Sequence, residues 1–221
     1  MRRLIPLMLL ISLSPAAAQD QPPPNIANAG QGTEGGVARL VFAHQLYAWG
    51  VPNKDALAVL NAARIAASVT LTEAVRSPEP PPDTATASAL PPITLDVMFD
   101  RAATLAAENE TLLDLIDASR REVAYAPATV AISSTSTIPK AQAQTWALPF
   151  YGVALAEVAF IGNGNSNLDL KVTDENGNLV CQDVGPQDTA YCSFFPAQNG
   201  AFLITVNNVG ADTNTYMLLT N

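Results

Sequence analysis

Two periodicities divide the chain. Over residues 37–124 apolar positions recur every three or four residues, and over residues 144–221 they alternate with polar ones. The first spacing lines one stripe of a helix and the second lines one face of a strand. Three helices are predicted in the first block. The first, over 37–49, places Val37, Leu40, Val41, Tyr47 and Ala48 near one stripe, with Gly50 as a left-handed terminator. The second starts at an Asn53 N-cap with Asp55 in its first turn. It carries Leu57, Leu60, Ile65 and Val69 and runs to Arg76. The third follows Thr94, has Asp96 early, and runs to about Val123 with Met98, Ala102, Leu105, Leu112 and Ile116 on its apolar side. Together they read as a small bundle with an Ala/Leu core.

The second block predicts strands at 144–148, 153–161, 168–173, 179–183, 189–195, 201–207 and 215–220. Turn chemistry separates them: GNGNSN, DENGN, GPQD, PAQNG and NVGADTN. Leu168, Leu170 and Val172 share one face, as do Phe202, Ile204 and Val206. Short strands with one apolar face each predict a two-layer antiparallel sandwich. Helices first and strands after them make the fold class α+β with segregated halves, not alternating βαβ.

Between these blocks the sequence loses its periodicity. Residues 77–92 are Pro-rich and predict an exposed loop inside the 37–124 helical domain. Residues 125–143, with Pro127, Pro139 and a Ser/Thr run, read as a linker that holds a short strand at 129–133. Residues 19–36 hold Pro, Gly, Gln and Asn around an isolated Ile26, and read as a flexible leader. Residues 1–18 have another pattern: Arg2 and Arg3, a short apolar run, then Pro15 and three alanines. That is the grammar of a signal peptide cleaved near Ala18/Gln19. The apolar run falls short of the roughly 20 residues a spanning helix needs, and no transmembrane helix is expected in the mature protein. The expected location is periplasmic or extracellular.

Charge and cysteine content sharpen this. The chain carries 11 basic and 20 acidic residues, a net charge of −9. Loss of residues 1–18 removes Arg2 and Arg3 and leaves −11. Such a balance excludes ordinary nucleic-acid binding, which needs a basic footprint. Two Cys and one His cannot supply a Cys/His zinc site. In an oxidising compartment Cys181 and Cys192 are expected to be joined. They lie equidistant from the turn Gly185–Asp188, so a tight hairpin there would set them opposite each other.

Candidate chemistry is sparse, and no catalytic residue is assigned. Asn167, Asp169, Asp174 and Asn176 could supply hard oxygen ligands for Ca²⁺. His44 follows Leu40 and Val41 at helical spacing and reads as a packed side chain. Glu110, Asp114 and Asp117, with Arg121, share a helical face that reads as solvated. Trp49 and Trp146 read as sugar-stacking platforms or as packing residues.

The run from Asn167 to Val180, then Tyr191 to Pro196, Gly200 to Val206 and Tyr216 to Leu218, resembles the bacterial pre-peptidase C-terminal domain. That family has a D-L-D-L-x-V-x-D-x-x-G strand–turn–strand, an aromatic strand ending in Pro, G-x-[YF]-x-[IV]-x-V, and a final Y-x-L. The resemblance covers residues 144–221. It implies a jelly-roll-like sandwich appended to secreted hydrolases and other exported proteins, serving secretion, stability or attachment rather than catalysis. Some members bind Ca²⁺. This chain departs from the motif at Asn167, where the family has its first Asp, which removes one carboxylate from such a site. The expected function is an exported, non-catalytic accessory or binding protein whose partner is a protein or polysaccharide of the cell envelope. The alternative is a periplasmic or secreted hydrolase using scattered carboxylates.

Overall fold

The structure is a computed structural model that describes residues 22–27, 35–82, 94–122 and 129–221. The expectation for residues 1–18 lies outside the described residues. Helices α1 (Gly36–Gly50) and α2 (Ala56–Ala67) come first, then strand β1 (Val69–Glu73), then α3 (Leu95–Ala106) and α4 (Glu110–Glu122). The remaining strands are β2 (Thr129–Ile138), β3 (Ala143–Phe150), β4 (Ala156–Ile161), β5 (Leu168–Thr173), β6 (Leu179–Asp183), β7 (Thr189–Phe194), β8 (Gly200–Asn208) and β9 (Asn214–Thr220). The fold is α+β with largely segregated halves, as the two periodicities predict. One sheet has the order β1-β2-β9-β4-β7 and the other β3-β8-β5-β6.

The sandwich core lies between the sheets. Trp146, Phe160, Phe202, Leu170, Ile204, Tyr216 and Leu218 are among its fully buried side chains. A polar chain runs through it. The Trp146 indole N–H donates to the Tyr216 hydroxyl at 2.9 Å, and that hydroxyl donates to Gln144 Oε1 at 2.8 Å. Ser136 donates to the same Gln144 oxygen, and Gln144 Nε2 donates to the Thr137 carbonyl. Each buried polar group is thereby paired, which keeps its desolvation from costing stability. Burial pushes the Tyr216 phenol well above its usual value. Pro149 is tolerated within β3 because β3 is an edge strand and needs no donor on its outer side.

Several elements differ from the sequence expectation. Asp55, not Asn53, caps α2: its carboxylate accepts from the Ala58 N–H at 2.9 Å. Asn53 instead donates to the Trp49 carbonyl at the end of α1. Gly50 is not left-handed; a Cβ there would press on Val59, so glycine permits close approach of α1 and α2. Helix α2 stops at Ala67, and the VTLTE run that follows pairs in parallel with β2. The helix predicted from Thr94 breaks at Ala107, which has φ +48°, and Asn109 caps α4 through its contact with the Leu112 N–H.

The segment expected as a linker holds β2, ten residues long, between β1 and β9. Its Ser and Thr run reads as loop, yet the side chains find partners. Ser134 donates to the Ala74 carbonyl, and Thr137 bonds Thr215. The result is one β1–α3–α4–β2 crossover, a single βαβ-type unit within the segregated α+β fold that the sequence pattern does not mark.

The Pro-rich stretch is not wholly a free loop. Glu79 exchanges two backbone hydrogen bonds with Thr145 at the edge of β3. The expectation for residues 83–92 lies outside the described residues.

Cys181 and Cys192 form a disulfide, but no hairpin joins them. Strand β6 pairs only with β5, and β7 only with β4, so the two lie in different sheets. The Tyr191 N–H donates to the Asp183 carboxylate at 3.1 Å rather than to a β6 carbonyl. The bond therefore ties the free edge of one sheet to the free edge of the other. The segment from β1 to Glu79 spans the opposite side in the same way.

Helix α1 lies across the outer face of the β1-containing sheet. Val37 and Val41 pack there against Val69, Ala131, Ala159, Ile161 and Leu219. Helices α2, α3 and α4 build their own core around Leu60, Phe99 and Ile116, with Tyr47 contributed by α1.

Candidate functional site

The four residues proposed as calcium ligands do not meet. Asn167 precedes β5 and Asp174 follows it, so a six-residue strand of about 20 Å separates them. Asp169 sits mid-strand opposite Asn207. Asp174 is fully buried, and its oxygens are already engaged. It accepts from the backbone N–H groups of Asn25, Asn176 and Asn178 and from the Asn178 side chain, each at 2.9 Å. Gly177, at φ +81°, closes the turn. Among the described residues no group of three or more His, Cys, Asp or Glu side chains is placed to hold a metal ion.

Asp174 also corrects the reading of the leader. Residues 22–27 lie against the sandwich: Asn25 is buried, its Oδ1 accepts from the Gln198 N–H, and the Ala27 N–H donates to the Phe195 carbonyl. A polar segment can order this way, through hydrogen bonds rather than apolar burial. Burial alone would raise the Asp174 pKa. The Asn178 side chain and the backbone N–H groups of Asn25, Asn178 and Asn176 outweigh it and hold the carboxyl below its ordinary 3.8. Its contribution is therefore present at neutral pH and lost as pH falls through that depressed value. Residues 22–27 are expected to become protease-sensitive and exchange-labile in acid before the sheets unfold, and Asp174→Asn should do the same at neutral pH. Hydrogen exchange at Asn25 and Ala27 across an acid titration checks this; protection unchanged in Asp174→Asn would refute it.

The polar cleft of the molecule lies elsewhere, where the C-terminal half of α1 meets two sandwich loops. It is a groove of about 540 Å³. His44, Gln45, Ala48 and Trp49 form the helix side; residues 164–167 and 186–189 form the loop side. The period of α1 sets Ala48 beside His44 and Trp49 beside Gln45, since residues four apart share one side of a helix. Trp49 is 55% exposed although it is one of the largest apolar side chains on α1. Trp146, the other tryptophan, is a core residue.

Hydrogen bonds tie the loop side together. The Asp188 carboxylate accepts from the Gly164 N–H at 2.5 Å and the Asn214 side chain at 3.5 Å. Asn214 also donates to the Ser166 carbonyl, and Ser166 donates to Asn208. Asn167 lines the groove, and its side-chain oxygen is buried without a partner among the described residues. An unspent acceptor of this kind costs stability unless a donor arrives.

His44 is buried. Burial lowers its pKa, which the nearby Asp188 charge only partly opposes, so the ring is neutral at physiological pH. Asp188 is the one carboxylate among the described lining residues, and it is committed to holding the loop. The acidic face expected on the third helix stays apart from the groove: Glu110, Asp114, Asp117 and Arg121 are all exposed on α4. Sequence reasoning named His44 and Trp49 but missed Asn165, Gln187 and Asp188. Their joining depends on which loops stand beside α1, and no local motif carries that.

No protein-family model matches the chain, and no curated protein matches it either. Among solved structures, the chain is similar to the CBM6 at the C-terminus of LamC from Zobellia galactanivorans (10% identity, 40% of this chain, 90% of that one, TM-score 0.27). It is similar to a periplasmic inhibitor of g-type lysozyme from Aeromonas hydrophila (13% identity, 41% of this chain, 86% of that one, TM-score 0.31). It is also similar, at 11% identity over 40% of this chain and 89% of that one with TM-score 0.32, to the pre-peptidase C-terminal domain of a Bacillus anthracis collagenase.

Proposed function

We propose that this is an exported, non-catalytic binding protein that holds a saccharide of the cell envelope in the groove between α1 and the sandwich loops. One observation carries the reading: an indole more than half exposed stands at the rim of a groove lined by amide side chains. An aromatic face covers the C–H side of a sugar ring, while amide and imidazole groups exchange hydrogen bonds with its hydroxyls. Asn167 offers an acceptor already desolvated and unspent. Export is supported by the Cys181–Cys192 disulfide, which persists in oxidising compartments.

The two tryptophans make the test direct. Trp146 is only 1% exposed, so a ligand in the groove should change the emission of Trp49 alone. Envelope oligosaccharides should shift that emission, and Trp49→Ala should weaken their binding at least tenfold, about 1.4 kcal/mol, without lowering the melting temperature. Full retention by envelope polysaccharide in Trp49→Ala, or turnover of a glycan substrate by the wild type, would count against the reading.

A further inference from the structure

A second cavity lies on the other side of His44. It measures about 440 Å³ and is walled by three helices and the outer face of the β1-containing sheet. Leu40, Val69, Leu95, Met98, Ile161 and Met217 supply most of its surface. Its size falls within the roughly 300–1,000 Å³ of small-molecule sites. The two methionines are flexible and can fit side chains or ligands of varied outline. Among the described lining residues, Thr94 and Thr135 are the only ones with a hydroxyl and none carries a charged side chain.

His44 lines both this cavity and the polar groove. The two spaces differ in chemistry and share one imidazole as their boundary. A saccharide alone would leave the apolar cavity unused, and a simple hydrocarbon would leave the groove unused. We propose that the two cavities form one site for an amphiphile with a saccharide head and a single alkyl or acyl chain, the head beside Trp49 and the chain against Met98 and Met217. This rests on the saccharide reading of the groove and extends it to a lipid-linked sugar. The neutral His44 ring then contacts the junction of head and chain, where it can donate one hydrogen bond and accept another.

Alkyl maltosides of increasing chain length, each below its micellar concentration, probe the full chain. Affinity should rise about three- to fourfold per added methylene until the cavity is filled, as expected for burial of each CH₂ group. Ala66 lines the cavity from the last turn of α2 and is not among the described residues that line the groove beside Trp49. Ala66→Phe should flatten the series by filling the space. Ala66→Met, a smaller intrusion, should shorten the chain length at which affinity levels off, and melting temperatures confirm that both variants fold. A series with no chain-length dependence in the wild type overturns the inference, yet leaves the saccharide reading standing if Trp49-dependent oligosaccharide binding persists. A slope unchanged in both Ala66 variants overturns it too, because the chains would then adsorb elsewhere. Zwitterionic detergents of equal chain length separate the two ideas: equal affinity for both heads sinks the saccharide reading and the shared site together.

Discussion

A fragment starting at Ala143, with β3 as its first strand, is expected to aggregate. It loses β2, which pairs with β9 from Ile132–Thr220 through Ile138–Asn214. Without β2, the backbone of β9 becomes an open sheet edge flanked by the core residues Tyr216 and Leu218. Exposed, apolar edges of this kind template association. The loss is on the order of the whole folding free energy of a domain, roughly 5–15 kcal/mol. A fragment starting at Thr129 keeps β2 and gives the comparison. It sacrifices α1 and β1 and so uncovers Ala159, Ile161 and Leu219, but β2, β9, β4 and β7 still cover the core shared with the intact second sheet. Gel filtration should find the second fragment soluble and the first in the void volume. Equal solubility with equal unfolding midpoints would show that β2 is dispensable.

That boundary is also where the sequence misleads most. Strands β5 and β6 were legible to the residue, because strict alternation is bounded by Asx-Gly turns. Only the first half of β2 was, as the short strand at 129–133; its continuation to Ile138 was not, because TVAISSTSTI buries Ser133, Ser134 and Ser136 where apolar residues are expected. Hydroxyls that pair with Ala74 and Gln144 are compatible with burial, but their partners lie across the fold and leave no local trace. β1 was hidden for the opposite reason. Val69 continues the helical spacing of Leu57, Leu60 and Ile65, so a short edge strand reads as the last turns of α2. The break at Ala107 lacks the usual Gly or Pro signal. The disulfide was foreseeable from compartment and spacing. The sheet change between its cysteines was not, since nothing local distinguishes a hairpin from a crossing between layers. In the groove, Trp49 and His44 were visible as helix residues, whereas the loop amides became neighbours only through tertiary structure.

The second large effect is expected at Glu157. This residue lies on β4, an interior strand of the β1-containing sheet, and is fully buried. Its Oε1 accepts from the N–H groups of Gly35 and Ala38 at 3.0 and 3.2 Å and from the Tyr191 hydroxyl at 2.9 Å. The carboxylate therefore receives the first turn of α1, where backbone donors have no partner in the helix and the helix dipole favours negative charge. A Cβ at Gly35 would overlap the carboxylate, so any side chain there would have to push the Glu157 carboxylate aside. Glu157→Ala removes the shared acceptor and strands three donors in a dry site. A loss of about 3–5 kcal/mol is expected, with α1 released from the sheet. Glu157→Gln keeps a carbonyl oxygen and should lose clearly less, about 1–2 kcal/mol. Urea denaturation of the two variants measures the ordering. A Glu157→Ala protein within 1 kcal/mol of wild type, by the same extrapolation, would refute the role. Because α1 carries both His44 and Trp49, the same substitution should also weaken the groove.

The strand order has a consequence for how the chain reaches this state. Strand β9 sits between β2 and β4, so the middle of one sheet is completed by the last strand in the sequence. Its pairing with β2 joins residues about eighty positions apart. High contact order slows folding, because loop closure must precede the contacts that reward it. A chain emerging from N- to C-terminus therefore cannot close this sheet until synthesis of β9 is complete. For as long as β9 is missing, β2 and β4 have no strand between them and the sheet stays in two unjoined pieces.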